Sequence, residues 1–271
     1  RRAPAWSYFL LALLAAAWVG GALYLLHVSG HGTAGFGMKG LTPWYYLLTQ
    51  SRVIPHYILL ALAPYQFSHA FFLWATGSSK GAPSPTPFCL DYDWPPATEL
   101  SAVWPWAVLV VLLVAATLWG LAKRHPLAFP GGWFFAILAP TSSFLPIADV
   151  AVEHRMYVPL AGVVALVVAG VYVFVRRACG LAAGGAATLP WPARLTAGGL
   201  LALAALGLGM LTFLRNEDYQ SKLAIWRDTV RQRPLNARAH SNLGAALNQA
   251  GSPSRSLPHF DAALALRPQY Y

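Results

Sequence analysis

The sequence is short of charge. Lys, Arg, Asp and Glu make up 10% of 271 residues, against about 25% in a soluble globular chain, so most of it is not built to face water. Acid is scarcer still, with nine Asp and Glu against nineteen Lys and Arg and a formal charge of +10. Two cysteines exclude a disulfide scaffold. No Gly-x-Ser-x-Gly, His-Glu-x-x-His or Cys-x-x-Cys run occurs. Gly30, Gly32, Gly35, Gly37 and Gly40 follow no strand pattern, so no phosphate loop is implied. What is abundant is apolar: 57% of residues are hydrophobic and 13% aromatic. That composition describes an integral membrane protein, and excludes collagen-like and disordered chains.

The apolar residues come in blocks. Runs 6–28, 103–122, 157–175 and 195–214 contain no Asp, Glu, Lys or Arg, and each offers roughly the 20 residues needed to cross about 30 Å of hydrocarbon. A fifth run, 131–150, is interrupted by Pro140, Thr141, Ser142, Ser143 and Pro146. It counts as a span whose freed backbone groups must be covered by protein or a water-filled cavity. Run 53–75 holds Pro55, His56, Pro64, Gln66 and His69 and reads as an interfacial or re-entrant element. Arg1 with Arg2, Lys123 with Arg124 and Arg176 with Arg177 are basic pairs of the kind that mark the cytoplasmic side. Five spans place all three pairs inside. Residues 29–102, the 149–155 turn and everything after 214 then lie outside. Cys89 and Cys179 fall on opposite faces and do not pair. The excess of cations therefore reports orientation, not nucleic acid.

After 214 the chain becomes charged and helical. His240, Leu243, Gly244, Leu247, Gly251, Ser256, Phe260, Ala263 and Pro268 fall on the anchor positions of a tetratricopeptide repeat, or TPR. Trp226 and Pro234 precede Phe260 and Pro268 by one repeat period of about 34 residues. The expected architecture is all-α: about five spans plus an interfacial segment over 1–214, then a TPR region over 215–271. That region divides into a half repeat, 215–236, and a full one, 237–270. Since about three repeats are usually needed to bury their own faces, the sequence is expected to be an internal piece of a longer protein. More spans would lie upstream and more repeats downstream.

Two outside segments concentrate the polar chemistry. Pro87-Phe88-Cys89-Leu90-Asp91-Tyr92-Asp93-Trp94-Pro95-Pro96 carries two carboxylates two apart. Asp-x-Asp suits a divalent ion bridging a diphosphate, but the motif is short and leaves no room for a soluble nucleotide-sugar domain; a solvated turn with Trp94 as an interfacial anchor is the favoured reading. Around Asp149, Glu153-His154-Arg155-Met156-Tyr157-Val158-Pro159 places four ionisable groups within seven positions at a membrane edge, where charge is costly unless paired or functional. Glu153 suits a base or an orienting partner, His154 a proton shuttle, and Arg155 a planar fork for phosphate oxygens. A Glu153–Arg155 pair that only solvates the loop is the alternative. His27, His31, His56 and His69 have no metal spacing and read as packing residues.

The order of these runs resembles one family. A Leu48-Thr49-Gln50 block with His56-Tyr57 is followed by Cys89-Leu90-Asp91-Tyr92-Asp93-Trp94. Then come Pro146, the Glu153-His154-Arg155-x-Tyr157-x-Pro159 run, a last span and TPRs. This is similar, over nearly the whole chain, to the transmembrane-and-TPR protein O-mannosyltransferases and their bacterial relatives. Those belong to the GT-C class of polytopic glycosyltransferases that use polyprenyl-phosphate sugars. The resemblance implies a lipid-phosphate-sugar donor and a protein or peptide acceptor presented by the TPRs, with a divalent metal left open. It implies catalytic roles for Glu153 and His154, and phosphate binding at Arg155 and Tyr157. Asp91, Asp93 and Asp149 would line the external cavity. The class's usual first-loop carboxylate is expected upstream of residue 6, and 65–86 reads as an insertion. The resemblance also implies a bacterial inner membrane with periplasmic TPRs, or an endoplasmic reticulum with lumenal ones. A membrane-anchored TPR scaffold without catalysis is the competing reading. A transporter is disfavoured because no charge lies mid-span.

Overall fold

A computed structural model describes Leu13, Ala16, Ala17, Gly20, Gly21, Tyr24 and residues 40–62, 89–181 and 188–268. Of the expected 6–28 span, the six residues described are helical; the rest, like His27, His31, His69 and the 65–86 insertion, lie outside the described residues. Eight α-helices follow: α1 (Pro43–Leu62), α2 (Trp104–Ala122), α3 (Ala128–Leu138), α4 (Leu160–Ala178), α5 (Trp191–Asn216), α6 (Lys222–Gln232), α7 (Ala237–Gln249) and α8 (Pro253–Leu266). No β-strand occurs among the described residues. The chain packs as two compact units, Arg1–Val163 with Arg231–Asn236, and Val164–Val230 with Ala237–Tyr271.

Among the described residues, three helices are long and apolar enough to cross a membrane: α2, α4, and α5 with the 3₁₀ turn that extends it to Tyr219. At about 1.5 Å per residue, the 19 residues of α2 rise roughly 28 Å. Gly120 is the one buried residue of α2, and α5 has none. Apolar helices that bury at most one residue are suited to lipid, not water. Their ends are written locally. Pro105 and Pro192 open α2 and α5, where a missing N–H costs nothing. Gly180, at φ +71°, ends α4 with a Leu181 N–H to Arg176 carbonyl bond of 2.9 Å, and Arg124, at φ +56°, does the same for α2 without being glycine. α4 starts three residues later than the 157–175 expectation. Residues 153–156 form a 3₁₀ turn, and Pro159 fits a helix only in its first turn.

The interrupted run expected as a fifth span is helical over only part of its length. Run 131–150 is helical only as far as Leu138, so α3 has 11 residues and about 16 Å of rise. Beyond it, Pro140 and Pro146 have no N–H to donate, and residues 139–152 turn irregularly. α3 packs antiparallel to α2 through small residues. A Cβ on Gly120 would lie 2.8 Å from Ala128 Cβ, and one on Gly131 would lie 2.9 Å from Thr117 Oγ1. Close backbone approach of this kind is how helices associate in lipid. At the start of α4, a Cβ on Gly162 would come within 2.5 Å of the Pro130 carbonyl oxygen. Backbone cannot give way there, so only glycine fits.

The core of the first unit lies between α1, α3 and two non-helical stretches. It contains Tyr46, Val53 and Tyr57 from α1, Cys89, Tyr92 and Trp94 from the loop, Phe134 and Leu138 from α3, and Val150 and Met156. In the second unit, Arg215 at the end of α5 pairs with Asp218 at 2.8 Å and with the buried Asp228 of α6 at 2.7 Å. α7 and α8 form a helical hairpin closed by Gly251 at φ +72°, with Ser252 N–H on the Leu247 carbonyl at 3.0 Å. That is a Schellman ending. The helices meet where Phe260 covers Gly244, whose added Cβ would lie 2.8 Å from the ring. Leu243 and Ala263 are buried beside it. Trp226 and Phe260 are half-buried, and Pro234 and Pro268 are exposed.

Candidate functional site

The polar part of the first unit is assembled from four stretches: α1, residues 89–97, residues 139–157 and residues 231–236. α1 supplies a row of buried polar side chains, Tyr46, Thr49, Gln50 and Tyr57. Each is tied to one of the non-helical stretches. Tyr46 O–H donates to the Thr141 carbonyl at 2.5 Å, and Gln50 Nε2 donates to the Val150 carbonyl at 3.0 Å. Tyr57 Oη donates to the Val152 carbonyl at 2.9 Å and accepts its N–H at 2.8 Å. Thr49 Oγ1 accepts the Ala97 N–H at 2.8 Å. Buried backbone groups outside helices must find such partners, and here α1 supplies them.

Arg155 completes that accounting. Its Nη1 donates to Tyr46 Oη at 3.1 Å and to the carbonyls of Thr141 at 3.2 Å and Val150 at 3.1 Å, while Nη2 donates to the Asp149 carbonyl. The planar fork that suits phosphate is here closed around the turn that follows α3. Glu153 points to different partners. Its Oε1 accepts the Cys89 N–H at 2.5 Å and the Tyr92 O–H at 3.0 Å, joining the two chemistry-bearing runs across more than sixty residues. His154 between them is exposed, and Tyr157 is 75% exposed.

The two carboxylates of the Asp-x-Asp run part company. Asp91 is buried, and its Oδ1 accepts the Asp93 N–H at 3.2 Å. Asp93 is exposed at φ +42°, a backbone conformation that Asp tolerates through such local bonds. Asp149 is half-buried. The structure thus places these residues in two bonded sets, Arg155 with the Asp149 backbone and α1 and Glu153 with the loop that carries Asp91, with Asp93, His154 and Tyr157 at exposed positions.

Several partners were not legible beforehand. Asn236 is buried and its Nδ2 donates to the Asp91 carbonyl at 3.3 Å. The Arg233 guanidinium sits over the Tyr92 ring at 5.5 Å, a cation–π contact. Both come from a stretch that reads in sequence only as a repeat boundary. His56 is packed edge-on to Tyr92 at 5.4 Å and against Trp94 at 5.1 Å. Burial, followed by the charge of Arg233, lowers its pKa to about 3, so it stays neutral and serves packing. Burial pushes the Cys89 thiol up to about 12, which makes it inert. Burial, with the Glu153 carboxylate second, holds the Tyr92 phenol well above its ordinary value. Cys89 and Cys179 are both free, the first buried and the second exposed.

Comparison with protein families, curated proteins and solved structures finds no match to the chain.

Proposed function

We propose that this chain is part of a membrane glycosyltransferase of the GT-C kind, which moves a sugar from a polyprenyl phosphate to a protein acceptor. The observation that carries this reading is the junction of the two motif runs. Glu153 binds the 89–92 loop, and Arg155 pins the 141–150 turn, which leaves His154 and Tyr157 exposed. A rigid charged frame with donors at its rim is what a transferred phosphate requires. In the reaction an acceptor hydroxyl replaces polyprenyl phosphate at the anomeric carbon, and negative charge grows on the leaving phosphate. His154 and Tyr157 meet that phosphate, Asp93 lies on the acceptor side, and Glu153 and Arg155 position the frame.

The topology within this proposal has five crossings: the 6–28 run, α2, α3 with the broken 139–152 stretch, α4 and α5. Its support is that Cys89 and Tyr92, before α2, bond to Glu153, after α3. The chain must therefore leave that face and return between them. Asn236 and Arg233 lie on the same loop, which supports placing the α6–α7 connection on that face too. The α7–α8 hairpin, closed by Gly244 against Phe260, is read as a TPR that offers the acceptor. The basic ends of α2 and α4 then face the cytoplasm, of a bacterial inner membrane or, failing that, of an endoplasmic reticulum. An impermeant maleimide is accordingly expected to label Cys179 only after cells are opened, and Cys89 only after denaturation. Labelling of Cys179 on intact cells would reverse the orientation.

A second reading, a membrane-anchored scaffold, draws on the same geometry, since the Glu153 and Arg155 bonds described above serve the fold. Binding separates the two. The chain in lipid nanodiscs is expected to bind radiolabelled polyprenyl-phosphate mannose saturably, and His154→Ala with Tyr157→Ala to weaken binding at least about tenfold, roughly 1.4 kcal/mol. Folded protein that shows no saturable binding favours the scaffold.

A further inference from the structure

The α7–α8 hairpin brings together two imidazoles that the proposed reaction does not use. His240 on α7 and His259 on α8 face each other with Nδ1 atoms 3.1 Å apart and ring centroids 5.3 Å apart. Both are half-buried. Nitrogens this close need something between them, either one proton or one cation. Two nitrogens each about 2.0–2.1 Å from a tetrahedral zinc ion lie roughly 3.3 Å from one another, and roughly 3.0 Å at neighbouring octahedral positions. The separation found here falls between those values.

We propose that His240 and His259 form a two-imidazole site for a divalent transition metal of borderline softness, such as Zn²⁺, Ni²⁺ or Cu²⁺. Imidazole selects these ions over Ca²⁺ and Mg²⁺, which take oxygen ligands. The bite is set by the fold: His240 lies one turn before Gly244, and His259 adjoins the Phe260 that covers Gly244. The glycine contact that fixes the helix separation thus also fixes the nitrogens, and the site is preorganised. Among the described residues no set of three or more ligating side chains gathers, so water completes the coordination and one face stays open to a ligand from another molecule. When the metal enters, the imidazole whose Nδ1–H bridges the pair shifts its proton to Nε2. Both rings remain neutral and both Nδ1 lone pairs meet the ion.

The test uses the full chain in detergent, purified without a polyhistidine tag, stripped by chelator and titrated with Cu²⁺. Electron paramagnetic resonance is expected to report one Cu²⁺ per chain with two nitrogen ligands, at a Kd on the order of 10 µM. His240→Ala and His259→Ala are each expected to weaken binding at least about tenfold, while the exposed His125→Ala leaves it unchanged. Fewer than two nitrogen ligands in the wild type overturns the proposal without any variant. So does equal affinity in wild type and the His240→Ala/His259→Ala double variant.

Discussion

Replacing Arg155 by alanine is expected to release the turn that follows α3 and to destabilise the first unit by roughly 3–5 kcal/mol. The side chain supplies four hydrogen bonds, three of them to main-chain carbonyls of Thr141, Asp149 and Val150. The Thr141 and Val150 carbonyls keep Tyr46 and Gln50 as donors, but a hydrogen bond from a charged group contributes about 1.5–3 kcal/mol, and loss of a whole network is among the few changes with effects this large. The loss should show as a lower midpoint of thermal unfolding and faster amide exchange in 139–152. Arg155→Lys should recover only part of it, because one ammonium group cannot span carbonyls on both sides of a fork. A variant that unfolds like wild type, yet fails to bind the lipid donor, would overturn this positioning role and return Arg155 to the phosphate.

Glu153→Ala should have the next largest effect. It removes the acceptor from the Cys89 N–H and the Tyr92 O–H, so two buried donors lose their partner at a cost of roughly 2–4 kcal/mol. The expected consequence is local. The 89–94 loop detaches from the 153–156 turn, and Cys89, inert in the wild type because it is buried, becomes reactive to maleimide without denaturant. Glu153→Gln keeps an acceptor oxygen and should leave Cys89 protected. If Cys89 remains unreactive in Glu153→Ala, the carboxylate does not hold the loop.

Together these variants bear on which charged residues of the motif runs meet a substrate and which build the frame. The Glu153-His154-Arg155 triplet splits in that respect. Its outer members turn into the protein, toward α1 and the 89–92 loop, and the middle one turns out. In a 3₁₀ turn, neighbours point about 120° apart, so three adjacent ionisable residues cannot share one direction. Sequence spacing gives that separation only after the turn is known. The same holds for Asp91 and Asp93, which an extended strand would place on one face. The bend at Asp93 puts one inside and one outside.

How far the sequence reached can be judged element by element. Apolar runs without charge predict α2, α4 and α5 because length and hydropathy alone decide whether a helix suits a bilayer, and the structure holds all three within a few residues. The break in 131–150 was also signalled, by Pro140 and Pro146, but its extent was not. Proline removes a donor wherever it stands, and whether the chain continues as helix depends on what else satisfies the freed carbonyls. The Gly244–Phe260 contact joins two helices neighbouring in sequence, and a local hairpin has few ways to pack.

The acidity and basicity of the chain, its membrane character and its helical content were therefore determined by the sequence itself, because each follows from composition and from neighbours within a turn or two. Only the tertiary structure decided that Tyr46, Gln50 and Tyr57 of α1 would supply partners to residues about a hundred positions away. Only it decided that Arg233 and Asn236 would close over Tyr92 and Asp91. Those contacts are long-range, and the polar side chains that make them carry no periodic signal. What selects them is the cost of burying a main-chain group unpaired, and that cost exists only once the chain has folded back on itself.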